Sequence, residues 1–112
     1  MTIQQYQDTV DAWIHQHGVR YFNELTNTTL LIEETGELAR LMARLYGEQS
    51  FKEGKAPEDP GIAIADEMAD VMFVLTCLAN QIGIDLTSAV ERNLRKKTKR
   101  DHQRHKRNDK LS

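Results

Sequence analysis

Glu34 and Glu37 stand three residues apart, and so do Glu67 and Asp70. Residues at that spacing are neighbours on one face of a helix. Each pair therefore presents two carboxylates in the same direction. The donors are all hard oxygens, which suits magnesium or manganese and not zinc. A divalent ion held by such groups neutralises phosphates and lowers the pKa of a bound water. The surroundings sharpen the case. Each helical residue turns about 100° from the last, so Leu31, Leu38, Leu41, Met42 and Leu45 define an apolar arc. Glu34 falls inside that arc, Glu37 at its edge and Glu33 beyond it. On the following helical stretch Ile64, Met68, Val71, Val74, Leu75, Leu78 and Ile82 form the arc, with Glu67 inside, Asp70 at the edge and Asp66 outside. An unpaired buried carboxylate costs several kcal/mol or takes up a proton. Arg40 and Arg44 could neutralise the acids in a salt-bridge network, but they lie on the polar side of their helix. A cation satisfies all four acids at once. A di-iron bundle needs Glu-x-x-His pairs. Here each glutamate is followed by an acid, and His15, His17, His102 and His105 lie near the ends of the chain.

The elements that must carry these acids are helices. Ile3, Tyr6, Val10, Trp13 or Ile14, and His17 recur at helical spacing before Gly18. A second helix is predicted from about Thr26 to Tyr46, stopped by Gly47. Glu48 to Asp59 reads as a loop through Gly54 and Pro57. Asp59 followed by Pro60 is an N-cap and a first helical residue, and this third helix runs to about Ile82. Gly83 stops it, Asp85 caps the next, and the fourth helix covers roughly Leu86 to Arg100. Nothing alternates with the period of a strand. The expected fold is all-α, an antiparallel bundle of about four main helices. The third helix is apolar nearly all round, Met72 and Phe73 lying opposite Val71, Val74, Leu75 and Leu78. Such a helix must be covered all round, which a second subunit would do. Residues 1–101 form the expected domain, and 102–112 a basic, flexible tail.

The chain has 112 residues and a net charge of −2, which conceals an asymmetry. Ten of its 17 acids lie between Glu33 and Asp70, and ten of its 15 bases between Arg92 and Lys110. The acidic middle suits cations; the basic end suits phosphates or is a solvated helix. The single cysteine, Cys77, rules out an internal disulfide and reads as a small buried apolar residue. Met1 to Asp11 is polar, so no signal peptide is expected, and no apolar run is long enough for a bilayer. A cytoplasmic setting fits.

The residues Glu33-Glu34-Thr35-Gly36-Glu37, followed by Glu67-Met68-Ala69-Asp70, resemble the Glu-Glu-x-x-Glu … Glu-x-x-Asp signature of the MazG-like all-α nucleoside triphosphate pyrophosphohydrolases. The likeness runs from about Leu30 to Asp101 and includes Asn80 and the Ile82-Gly83-Ile84-Asp85-Leu86 segment. The resemblance implies a helical dimer or dimer of dimers. It implies that Glu34, Glu37, Glu67 and Asp70 bind magnesium, and that a nucleoside triphosphate, canonical or modified, is cleaved to the monophosphate and pyrophosphate. Glu33, one turn before Glu37, is the candidate for orienting or deprotonating water, with a plain surface acid the alternative. Lys96 and Arg100, four apart on the last helix, and Asn80 are candidate substrate contacts, and Lys52 could reach the phosphates from the loop. Trp13 and Tyr21 could stack on a base or pack in the core. The rival readings are a nucleic-acid binder using Arg92 to Lys110, which the net acidity and the lack of interleaved aromatics disfavour, and a regulatory helical oligomer without catalysis. No membrane partner is expected.

Overall fold

The structure is a computed structural model describing residues Met1–Ser112. Four helices dominate it: α1 (Ile3–Trp13), α2 (Glu24–Tyr46), α3 (Pro60–Gln81) and α4 (Leu86–Asp101). There are no strands.

Side chains at the ends fix each helix. Thr2 and Gln5 form a reciprocal capping box on α1, the Gln5 amide donating to Thr2 Oγ1 at 3.0 Å and the Thr2 amide to Gln5 Oε1 at 2.7 Å. Asn23 accepts from the Thr26 amide at 2.8 Å, so α2 begins at Glu24, two residues before the position expected from Thr26. Asp59 caps α3 ahead of Pro60, and Asp85 caps α4. Between them Gly83 sits at φ 75°, in the left-handed region open to glycine. The Ile84 amide then reaches back to the Ala79 carbonyl at 2.8 Å and the Gly83 amide to Asn80 at 3.3 Å. This pair of bonds is a Schellman closure, which turns the chain sharply from α3 into α4.

α1 does not run regularly to Gly18. Its last turn, Ile14–Gly18, widens into a π-helix, and Val19 follows at φ 70°. A β-branched residue in that region is strained. Residues 102–112, expected to be mobile, form turns ending in a short 3₁₀ segment, Asp109–Leu111.

α2 and α3 are the principal packed pair. Asn27 meets Gln81 at one end and Glu34 approaches Glu67 and Asp70 further along, so the two helices run antiparallel. α1 crosses back over α3, with Gln7 at Asn80 and Trp13 at Phe73, and α4 rests mainly on α1. Val10, Ile14 and the buried Cys77 make the small core, flanked by Tyr6, Tyr21 and Phe73. Burial pushes the Cys77 thiol up to about 11, as befits an inert packing residue.

The chain is open. Its radius of gyration is 17.9 Å, against roughly 13 Å for a compact chain of this length. Its accessible surface is 8954 Å², against about 6,300 Å² for a folded monomer of this mass. Met72, on the apolar-all-round helix, is 57% exposed, and Met68 and Leu75 beside it are uncovered too. Phe73 is covered within the chain, by the edge of the Trp13 ring at 5.5 Å.

Candidate functional site

The α2–α3 pairing brings the acids together. Carboxylate oxygens of Glu34, Glu67 and Asp70 lie within 4.8 Å of one another. Glu34 and Glu67 are partly buried, while Glu37 and Asp70 sit at the solvent edge. This is the inside-and-edge pattern that the helical arcs predict. Glu34 Oε2 and Glu67 Oε2 are fully buried with no hydrogen-bond partner, and no other buried side-chain oxygen or nitrogen in the chain lacks one. Burial, reinforced by the charges of Glu37, Asp70, Glu67 and Glu33, raises the Glu34 carboxyl above the usual range. Burial raises Glu67 as well, followed by the charges of Glu37 and Asp70 and a side-chain hydrogen bond with Glu37 that requires a proton. Glu37 therefore belongs to the same electrostatic cluster.

No base relieves it. The ion pairs of the chain join Asp11 to His15, and Asp101 to Arg100 and Arg104. Arg44 instead donates to the Arg40 carbonyl at 3.0 Å, so the salt-bridge reading of the acids fails. Buried orphan oxygens, an all-carboxylate donor set and an open outer edge fit a hard divalent cation with room for a phosphate oxygen. The acids would hold such an ion from one side, Glu34 and Glu67 from within and Glu37 and Asp70 from the rim.

Other predicted site residues are placed differently. Glu33 is exposed on α2 next to the cluster. Lys52 is exposed on the loop between α2 and α3. Lys96 and Arg100 lie exposed on α4, which rests on α1, and the Arg100 guanidinium is engaged by Asp101 at 2.8 Å. Asn80 does not face the acids of its own chain. Ten residues beyond Asp70, it is about 15 Å along the helix. Its Nδ2 donates to the Gln7 carbonyl at 2.9 Å and to Tyr21 Oη at 3.1 Å, and its Oδ1 accepts from Gln7 Nε2 at 3.0 Å. The half-buried Asn80 thus ties α1 to α3 through its bonds with Gln7.

Sequence reasoning missed that polar seam. Gln7 is buried, donates to Asn80 Oδ1 and the Ile84 carbonyl, and accepts from the Leu86 amide at 2.9 Å. Tyr21 Oη donates to Asp11 Oδ1 at 2.6 Å; burial and this bond push its hydroxyl up to about 12. Only the register of Gln7 with Val10 and Ile14 signalled that it points inward.

Fold and site together define a class: an all-α protein in which two antiparallel helices converge on a carboxylate cluster. The family model for the MazG nucleotide pyrophosphohydrolase domain matches residues 22–105. The chain is 42% identical over 103 residues to YpjD of Bacillus subtilis (strain 168), covering 92% of this chain and 89% of that protein. Among solved structures it is similar to the Bacillus-conserved MazG protein, a nucleotide pyrophosphohydrolase, with 36% identity, a TM-score of 0.71 and coverage of 86% and 88% of the two chains. The YpjD structure from Bacillus subtilis gives 38%, 0.73, 86% and 94%. The chain belongs to the MazG nucleotide pyrophosphohydrolase family and is an enzyme of that type.

Proposed function

We propose that this enzyme hydrolyses a nucleoside triphosphate, a canonical or modified deoxynucleotide, to the monophosphate and pyrophosphate, with magnesium held by Glu34, Glu37, Glu67 and Asp70. The observation that carries this reading is the pair of buried carboxylate oxygens without partners, Glu34 Oε2 and Glu67 Oε2. Protein interiors do not leave such groups unsatisfied without a use. Bound there, magnesium, or manganese in its place, would neutralise the triphosphate and acidify a water.

The chain's own residues divide the remaining work. Glu33, exposed and one turn before Glu37, orients the attacking water and takes its proton. Lys52, on the exposed loop, meets the phosphate chain. Lys96 and Arg100 stabilise the departing pyrophosphate. Since α4 rests on α1 and not on the acid pair, these cations act across a subunit boundary. Asn80, whose amide also bonds Gln7 and Tyr21 within its own chain, contacts substrate across the same boundary.

The protein works as a homodimer or a dimer of dimers. The surface in excess of a compact monomer, roughly 2,600 Å² per protomer, is of the size that obligate interfaces bury. The exposed Met68, Met72 and Leu75 mark where α3 would be covered. No helix is long and apolar enough to cross a membrane, and a cytoplasmic role in cleansing the nucleotide pool fits.

The test is pyrophosphate release over a panel of nucleoside triphosphates, with magnesium and with EDTA, on the native protein and on Glu37→Gln. Magnesium-dependent release that the variant loses while remaining helical is the expected result. Full turnover in EDTA, or by the variant, would refute the metal site.

A further inference from the structure

α4 ends in an acid that the site above leaves without a task. Asp101 is the last residue of the helix. Only 15% of its side chain is exposed, beneath the guanidiniums of Arg100 and Arg104, which are 62% and 69% exposed. Arg100 grips it with two nitrogens. Its Nε donates at 3.1 Å to each carboxylate oxygen, and its Nη2 donates to Oδ2 at 2.8 Å. Arg104 adds Nη1 at 3.3 Å from Oδ1. The turn after α4 brings it there, the Arg104 amide donating to the Asp101 carbonyl at 3.0 Å. One carboxylate therefore gathers two cations, and no other acid of the chain pairs with either.

An exposed ion pair ordinarily contributes little, because two long side chains must be held still for a screened attraction. A two-nitrogen grip on a shared carboxylate differs, since it fixes direction. Asp101 engages the Nε edge of Arg100 and one nitrogen of Arg104. Arg100 Nη1, Arg104 Nε and Arg104 Nη2 stay free on exposed groups, and planar forks of this kind fit phosphate oxygens. The Arg100 bonds, opposed by burial and helped by Arg104, hold the Asp101 carboxyl down to about 2. The clamp is thus charged throughout the neutral range. Its place on α4 fits a use as well. Asp101 stands about three turns after Val90, on the same face. That face carries the uncovered Val90 and Leu94, the side of α4 open to another copy.

We infer that Asp101 is a positioning residue, which aims Arg100 and Arg104 together at the departing pyrophosphate and so makes Arg104 a further phosphate contact. The inference rests on the pyrophosphohydrolase reading of Lys96 and Arg100 above. Two guanidiniums fixed in advance lose less freedom when the anion arrives. Without the carboxylate between them they repel each other and spread into solvent.

The test turns on a sign. A carboxylate that acts only through its charge opposes anion binding, so its removal should tighten binding; a carboxylate that aims two arginines should weaken binding when removed. Inorganic pyrophosphate is titrated calorimetrically into the full chain, in magnesium at neutral pH. Asp101→Asn should weaken binding about fivefold or more, and Asp101→Glu, which keeps the charge and the fork, should stay within about threefold of the native protein. Arg104→Gln should also cost about fivefold, but less than about twofold in the Asp101→Asn background, where Arg104 is no longer aimed. Arg104→Gln changes an exposed side chain and serves where Asp101→Asn does not fold. Equal or tighter binding by folded Asp101→Asn, an Asp101→Glu variant no better than Asp101→Asn, unchanged binding by Arg104→Gln, or no binding by the native protein would each overturn the proposal. Release of pyrophosphate from nucleoside triphosphates, measured in parallel, separates the two readings. Release by a protein whose pyrophosphate binding ignores Asp101 sinks this inference alone. Binding that depends on Asp101, without release from any triphosphate, sinks the proposed reaction alone.

Discussion

Replacing Glu67 by glutamine should stabilise the metal-free protein while abolishing its response to magnesium. The side chain keeps its shape but loses its charge. Two unit charges 4.8 Å apart repel by about 3.5 kcal/mol at an effective dielectric near 20. Glu67 faces two such neighbours, Glu34 and Asp70. The relief is smaller than that gross figure, because Asp70 is at the solvent edge and Glu67 already takes up a proton readily. A net gain of about 1–2 kcal/mol at pH 8 follows, or about 4–10 °C in Tm for a chain of this size. The sign of the pH dependence is fixed. The Glu67 carboxyl is raised in the folded state by burial, then by Glu37 and Asp70. A raised carboxyl contributes stability below its unfolded pKa and loses it as pH climbs through the folded value. The native metal-free protein should therefore weaken as pH rises from 5 to 8. Glu34, raised by burial and then by Glu37, Asp70, Glu67 and Glu33, weakens both proteins as pH rises, the variant less because it lacks the Glu67 charge. The Tm difference between variant and native protein should thus be small at pH 5 and widest at pH 8. Magnesium at tenfold its dissociation constant should restore about 1.4 kcal/mol to the native protein and nothing to Glu67→Gln, whose turnover should fall at least ~100-fold. Differential scanning fluorimetry in EDTA and in magnesium, at four pH values, reads all of this. A variant uniformly less stable across pH, or still stabilised by magnesium, would show that Glu67 is a structural group and not a ligand.

Three further expectations can be checked alongside. Gln7→Leu removes the acceptor of the Leu86 amide and the donor to Asn80 and Ile84, so thermal unfolding should reveal a loss of about 2–4 kcal/mol. Gly47→Ala would set a Cβ 2.6 Å from the Ala43 carbonyl oxygen. Displacing the end of α2 should cost about 1–3 kcal/mol by urea titration. Met72→Asp puts a charge on the uncovered side of α3, and sedimentation should show the assembly shifted toward monomer at micromolar concentration.

Most of the helical frame was legible because local signals agree. The caps at Asp59 and Asp85, the stop at Gly83 and the apolar period of α3 each act within a few residues of themselves. The inward tilt of Glu34 and Glu67 followed from the same period. What one helix contributes to another's surface was harder to read. Asn80 is a candidate from the resemblance alone; its bond with Gln7, far off in the chain, had no local signal. Asn27 carried no signal, since its burial depends on Gln81 arriving from α3. The π-turn at Ile14–Gly18 was equally hidden, for its periodicity differs from an ordinary helix by a single residue.

The scarcity of enclosed side chains has a consequence for life at low copy number. If another copy covers these apolar faces as proposed, the chain would draw much of its stability from encounter, and dilution would act on it as a denaturant does. Its half-life in a cell would then track its own abundance, scarce copies going to proteases and plentiful ones sheltering each other. A single defective allele could also poison mixed assemblies, because a damaged face would be shared with an intact neighbour.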